Sequence, residues 1–284
     1  MRWIPSCCLG GAWQMAIDAW LLERLAAAAD PAASIVPAAA FRLYRWSRPT
    51  LSLGWHQQRL EPHWWDLVRQ GRIDLVRRPS GGRAVLHGAD LTYALVLPGL
   101  GGRRSEIYDR ALRWLVEAFA ALGQPLRSGR QAASPQRSSC FATGTVADLV
   151  HEGGAKRVGS AQLWRAGHLL QHGSIQLDPS PDLWREVFDA DPPTLEPLPL
   201  AGAELEAHLR RSALRWLAPL AGVNPGPARL SQIRPGEDRR EGWFQELPLS
   251  AAELAGIAPT LARYRPAGSV SAVTSPELTM PRAT

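Results

Sequence analysis

Among the 32 basic residues of this chain there is one lysine, Lys156; every other cation is an arginine. An ε-ammonium is a compact point charge with three donors, suited to steadying an oxyanion or lowering a thiol pKa where a planar guanidinium would not fit. Lys156 opens the run Lys156-Arg157-Val158-Gly159-Ser160-Ala161-Gln162, and a second run follows as Leu170-Gln171-His172-Gly173-Ser174. Gly159 and Gly173, on neighbouring strands, would open the floor of a groove for a thin, linear ligand, flanked by Ser160 and Ala161. Cys140, in Ser138-Ser139-Cys140-Phe141, becomes a nucleophile only as thiolate, so its chemistry depends on a nearby cation such as Lys156. A lone cysteine is otherwise most often a small buried apolar residue. His172 is isolated in its strand, where histidine is more often scaffolding than a base.

The third chemical segment runs from Arg77 to His87 as Arg-Arg-Pro-Ser-Gly-Gly-Arg-Ala-Val-Leu-His, with Arg78, Ser80, Gly81, Gly82 and His87 as candidate ligand contacts. Paired glycines remove two Cβ atoms, so backbone N–H groups can approach a ligand closely. The spacing matches neither a Walker loop nor a dinucleotide fingerprint. No metal site is expected.

These segments need strands and turns around them. Apolar spacing predicts a first helix over residues 12–29, a short one over 62–69, a longer one over 105–122 and two more over 203–217 and 250–264. Strands are predicted at 41–44, 51–53, 74–78, 84–87, 91–97, 147–151, 156–164 and 168–177. Helices and hairpins alternate irregularly, which predicts an α+β fold with a mixed or antiparallel sheet flanked by helices. Residues 178–200, rich in proline and acid, read as a linking segment. The division expected is a catalytic domain over 1–200, a small helical extension over 201–264 and a loose tail over 265–284.

With 284 residues, 45% hydrophobic and 20% charged, the composition is that of an ordinary globular chain. At this size about three-quarters of the unfolded surface is buried, so disulfides or metals are not needed as staples. No apolar run is long enough to span a membrane. Residues 1–8 carry one charge and an apolar stretch broken by Pro5, so no cleaved leader is expected. Three cysteines, two of them adjacent, make no disulfide framework and point to a reducing, cytoplasmic setting. The net charge of +6 suits an acidic partner. The arginines are dispersed, with no basic run or aromatic platform, so neither nucleic acid nor a membrane is the expected partner.

Taken in order, Gln14-Met15-Ala16-Ile17-Asp18, Leu51-Ser52-Leu53-Gly54, Arg77 to His87, Leu91-Thr92-Tyr93, Lys156 to Gln162 and Leu170 to Ser174 resemble the biotin/lipoate protein ligase and transferase superfamily. The resemblance implies a class II synthetase-like catalytic domain. Ser80-Gly81-Gly82-Arg83 differs from the loop known in biotin ligases, and Cys140 ahead of the lysine strand is similar to the cysteine/lysine-type octanoyltransferases. That branch implies octanoyl-acyl carrier protein as donor, Cys140 as nucleophile, Lys156 at the carbonyl oxygen, a lysine on a lipoyl domain or glycine-cleavage H-type protein as acceptor, and no cofactor. Two alternatives stay open: an ATP-dependent lipoate ligase, and a non-catalytic acyl-binding or carrier-binding protein. The chain departs from the family pattern at Gln14, at Gly88-Ala89, where an acidic residue commonly follows the histidine, and at Ala94.

Overall fold

A computed structural model describes residues 1–27, 39–129, 145–221 and 244–266. Among these, β1 (Arg2–Leu9), β2 (Ala40–Trp46), β6 (Asp90–Leu97), β7 (Arg127–Ser128), β8 (Asp148–Val150), β9 (Lys156–Arg165), β10 (His168–Gln176) and β11 (Gln245–Glu246) form one sheet in the order β11-β1-β2-β6-β10-β9-β8-β7. The β1 pairs are parallel and all the others antiparallel, so the sheet is mixed, as the irregular alternation of helices and hairpins predicts. A smaller sheet joins β4 (Asp74–Arg77), β3 (Thr50–Leu53) and β5 (Val85–His87).

Period-two alternation decides what covers each face of the large sheet. Phe41, Leu43, Tyr93 and Leu95 point to one side, against Trp114 and Phe119 of α3 (Arg104–Ala121) and Leu205 and Leu209 of α5 (Gly202–Leu217). Tyr44, Ala94, Val96 and Leu170 point to the other, against Met15, Ile17 and Leu22 of α1 (Gly11–Ala27). Strand β6 is buried along its whole length, which is why it reads as a nearly continuous apolar run. The small sheet packs Leu51, Leu53 and Leu75 against Trp64 of α2 (Pro62–Arg69). After α5 the described chain closes with α6 (Ala251–Ile257) and a 3-10 turn, Ala258–Tyr264, that packs Tyr264 into the α1 face. No helix among the described residues is long and apolar enough to cross a membrane.

Two segments depart from the sequence expectation. Residues 178–200 contain a helix, α4 (Pro181–Phe188), and are not simply a link. The prolines misled the reading because one of them opens the helix: Ser180 caps it, its hydroxyl accepting from Leu183 N–H at 3.4 Å, and Pro181 takes the first turn, where its missing donor costs nothing. The helix buries Trp184, Val187 and Phe188 against α2, and Trp64 Nε1 donates to Val187 O at 2.7 Å. The second departure is β1, hidden by Pro5; its register against β2 shifts between Ile4 and Cys7 to accommodate the proline. Arg2 anchors this strand on Glu253 at 2.7 Å.

Trp184→Ala should therefore lower unfolding free energy by about 3–5 kcal/mol in denaturant titration, the usual cost of truncating a buried aromatic residue. A change within experimental error would mean that the segment is a link after all.

Candidate active site

The faces of the two sheets meet around a cavity. Met15, Tyr44, Trp46 and Val85 make an apolar wall, and Gly159, Ser160, Ala161, His172 and Gly173 line the strand side. Gly159 pairs with Ser174 and Gly173 with Ser160 across β9 and β10, so the two glycines lie side by side as their spacing suggested. A Cβ on Gly173 would stand 2.6 Å from Tyr93 Cε1 and 2.8 Å from Gly159 O, so no other residue fits there without movement. Tyr93 itself is fixed by Ser160 Oγ at 2.8 Å and by donation from Gln171 Nε2 at 3.0 Å.

Two Asp–His–Ser chains border this cavity. In the first, Asp18 of α1 is fully buried and its carboxylate meets Arg42 Nε at 3.2 Å, accepts from Tyr44 OH at 3.0 Å and lies 2.9 Å from His172 Nδ1. His172 Nε2 is 2.5 Å from Ser80 Oγ. In the second, Asp90 Oδ2 lies 2.7 Å from His87 Nδ1, whose Nε2 is 2.8 Å from Ser52 Oγ. Ser174 and Thr92 also donate to Asp90 Oδ2, at 2.6 and 3.0 Å. Burial opposes ionisation of Asp90, but the charge of His87 and hydrogen bonds from His87, Ser174 and the Gly88 N–H outweigh it and hold the carboxyl below its ordinary value. Trp46 stacks on His87 at 4.0 Å between centroids.

The acidic partner that Gly88-Ala89 failed to supply thus comes from Asp90. Asp18, Asp90 and Ser52 were not singled out as functional from the sequence. Asp18 stood inside a recognised helical motif, but only the fold aims it at a strand 154 residues away.

Arg78 and His87, two of the candidate ligand contacts, both line this cavity. Arg78 donates from Nη1 to Ser52 O at 2.8 Å and from Nη2 to Gly81 O and Arg83 O at 2.8 and 2.6 Å, pinning the glycine turn. Gly82 has φ +97°, and its carbonyl presses on Gly54 so closely that a Cβ there would be 1.9 Å away. Gly81 and Pro79 face a second, outer groove that also borders Trp55, Tyr108 and Trp164.

Lys156 is buried, with Nζ 3.0 Å from Asp148 Oδ1. The other oxygen of Asp148 accepts from Thr145 N–H at 2.6 Å and Thr145 Oγ1 at 2.9 Å. Cys140 lies outside the described residues. Of the other cysteines, Cys8 is exposed, and burial pushes the Cys7 thiol above its ordinary range, with Arg42 only partly opposing. Among the described residues no group of three or more histidine, cysteine or acidic side chains converges as a metal site.

A mixed sheet bordering a largely apolar cavity, with polar side-chain networks at its edge, defines an α+β domain with the character of a small-molecule site. Residues 11–196 match the profile of the lipoyl protein ligase A/B catalytic domain, and the chain belongs to that family. It is 40% identical over 152 residues to a protein of Kyrpidia tusciae named octanoyltransferase LipM, covering 50% of this chain and 55% of that one. It is 32% identical over 200 residues to a protein of the same name from Halalkalibacterium halodurans, covering 66% and 70%. The matched stretch therefore spans from about half to about two-thirds of these curated relatives. Its fold is shared with a putative lipoate protein ligase from T. acidophilum, solved with lipoic acid bound, at a TM-score of 0.67, 17% identity and 92% and 94% coverage.

Two outcomes follow from this geometry. Gly173→Ala should weaken ligand binding and lower the thermal midpoint together, measured by calorimetry with and without an eight-carbon acid; unchanged values would show that the strand approach is loose. Because Asp90 is held below its unfolded value, its contribution to stability is present above the carboxylate range and is lost as pH falls through the folded value. Below about pH 4 the wild-type midpoint should therefore fall more steeply than that of Asp90→Asn.

Proposed function

We propose that this chain is an acyltransferase that moves an octanoyl group from octanoyl-acyl carrier protein to the lysine of a lipoyl domain or glycine-cleavage H-type protein, through a thioester on Cys140. The family match over residues 11–196 and the relatives named octanoyltransferase support this reading, and the cation available to it is Lys156. Its ammonium is held by Asp148, and the same carboxylate binds Thr145, five residues after Cys140. The relatives named octanoyltransferase support the choice of acyl group.

In this reading the octanoyl chain occupies the inner cavity, where each buried methylene contributes about 0.8 kcal/mol before ordering costs. Lys156 donates one of its three N–H bonds to the acyl carbonyl oxygen while Asp148 keeps another. The Cys140 thiolate attacks the carbonyl carbon, the bond to the carrier sulfur breaks, and that sulfur leaves as thiolate. The acceptor amine then attacks the enzyme thioester, forming the amide and returning the Cys140 sulfur. A thioester is already activated, so neither ATP nor another cofactor is required. The net charge of +6 favours acidic carriers, chiefly by raising the rate of encounter. A cytoplasmic location accords with such partners.

Intact-mass measurement after mixing with octanoyl-acyl carrier protein should give an octanoyl increment that disappears in Cys140→Ser. Acceptor modification from free octanoate and ATP, undiminished in Cys140→Ala, would instead establish a ligase, and tight binding with no adduct a carrier-binding protein. Lys156→Arg should lower turnover roughly 10²–10³-fold, as loss of a preorganised oxyanion donor does. Near-wild-type turnover would remove the lysine from the mechanism.

A further inference from the structure

We infer that the edge of β9 from Ser160 to Arg165 receives the phosphopantetheine arm of an acyl-carrying donor protein, with the phosphodiester of the arm held by the arginines of the outer groove. This deepens the acyl-transfer reading above and rests on it for the group at the arm's end.

The edge is open because β8 is short. It covers β9 only from Lys156 to Gly159, and beyond Gly159 no strand among the described residues pairs with β9 on that side. Burial changes at the same point: Lys156 to Gly159 are buried, whereas Ser160 to Trp164 are half-buried. An open strand edge presents a row of backbone N–H and C=O groups that can pair with an extended, amide-bearing chain. The outer groove follows this edge. Gln162, Leu163, Trp164 and Arg165 are consecutive, so their side chains alternate between the two faces of the sheet, yet all four line the groove. Tyr108 of α3 borders it from one face and Leu22 of α1 from the other.

The groove continues from the inner cavity. On β9, Ala161 lines the cavity and Gln162 the groove; on α1, Met15 lines the cavity and Ala19, one turn later, the groove. From Ala161 to Arg165 the strand runs about 13 Å, at roughly 3.3 Å per residue. A ligand with its acyl group in the cavity and its body along this edge therefore needs a long, thin stem. The four-carbon stem of a lysine carries no amide to pair with the edge and is too short to reach its end. A phosphopantetheine arm has two amides spaced along an extended chain and an anion at its far end.

The far end is cationic. Arg165 closes the strand, its Nη1 2.6 Å from Glu23 Oε1, and the same oxygen draws in Arg263 Nη1 at 3.5 Å. Arg104 also lines the groove and has no ion-pair partner among the described residues. Three guanidiniums against one carboxylate leave an excess of positive charge, and each fork keeps N–H donors for a phosphate. Trp55 borders the same groove, 38% exposed yet held in place: Arg77 Nη1 donates to the carbonyls of Gly54, Trp55 and Gln57 at 2.8, 3.0 and 2.8 Å. A fixed, exposed indole offers its face to the apolar part of the arm.

The test measures, by calorimetry, binding of the full chain to S-octyl-phosphopantetheine, a thioether that cannot transfer its alkyl group. It should bind at least about tenfold tighter than S-octyl-pantetheine, the least that a charge-assisted hydrogen bond adds. Hydrogen exchange read by mass spectrometry should slow over residues 160–165 when it binds. Arg165→Gln combined with Arg263→Gln should cut the advantage of the phosphate to about twofold or less without weakening S-octyl-pantetheine. Glu23→Gln, which releases both guanidiniums from their shared carboxylate, should enlarge that advantage. Equal affinity for the two analogues, or no slowing over 160–165, would overturn the inference. Slowing there by an apo lipoyl domain and not by the analogue would give the edge to the acceptor and overturn it too. A further gain of roughly tenfold for S-octyl-coenzyme A would make coenzyme A the source of the arm and overturn the carrier protein in that role. Because the analogue carries no thioester, these results do not depend on turnover. Phosphate-dependent binding without any octanoyl increment from octanoyl-acyl carrier protein would overturn acyl transfer alone.

Discussion

The site depends on one buried negative charge. Asp18 has no exposure to solvent, and an ion so placed costs several kcal/mol unless partners replace its hydration. Arg42 and Tyr44 from β2 and His172 from β10 do so, which locks the first helix against two strands of the large sheet. Arg42 is itself fully buried, stacked over Tyr44 and bonded to Gln14. Removing any one member would leave its neighbours unpaired, the costly way to break a buried pair. Because the helix, the strands and, through His172, the Ser80 turn all attach to this carboxylate, the shape of the inner cavity and the orientation of its polar rim follow from it.

Around that anchor the glycines do different jobs. Gly173 lets β10 pass beneath Tyr93, Gly54 yields to the Gly82 carbonyl, and Gly82 takes a φ that side chains avoid. Bulky residues close the cavity elsewhere: Trp46 is fixed by His87 on its face and by donation to Thr92 Oγ1 at 2.9 Å. The result is a largely apolar inner cavity and a wider outer groove.

Much of this was legible in the sequence because its signals are local. The 3.6-residue spacing in α1 and α3, the alternation in β9 and β10, and the Gly81-Gly82 turn each appear within a short window. The helix α4 was not legible, because Pro181 is both a breaker and a good first-turn residue and only burial of Trp184 decides between them. β1 was missed for a similar reason, with Pro5 inside a run that the sheet accommodates by a register shift. In the site, Arg78, His87, Gly159 and Gly173 could be picked out by type, but that they line one cavity depends on contacts made across the fold. Asp18, Asp90 and Ser52 gave no local signal, since carboxylates and hydroxyls take their roles from partners far away in the chain.

The most direct test of this account is the protonation pattern of one ring. The chain has seven histidines, so nitrogen-15 NMR of histidine-labelled protein, with His172→Gln for assignment, can resolve it. Above the histidine range, His172 should carry its proton on Nδ1, facing Asp18, with Nε2 showing the shift of an unprotonated acceptor, and Asp18→Asn should abolish this preference. A proton on Nε2, or a pattern indifferent to Asp18, would contradict the claim that the buried carboxylate sets the chemistry of the site.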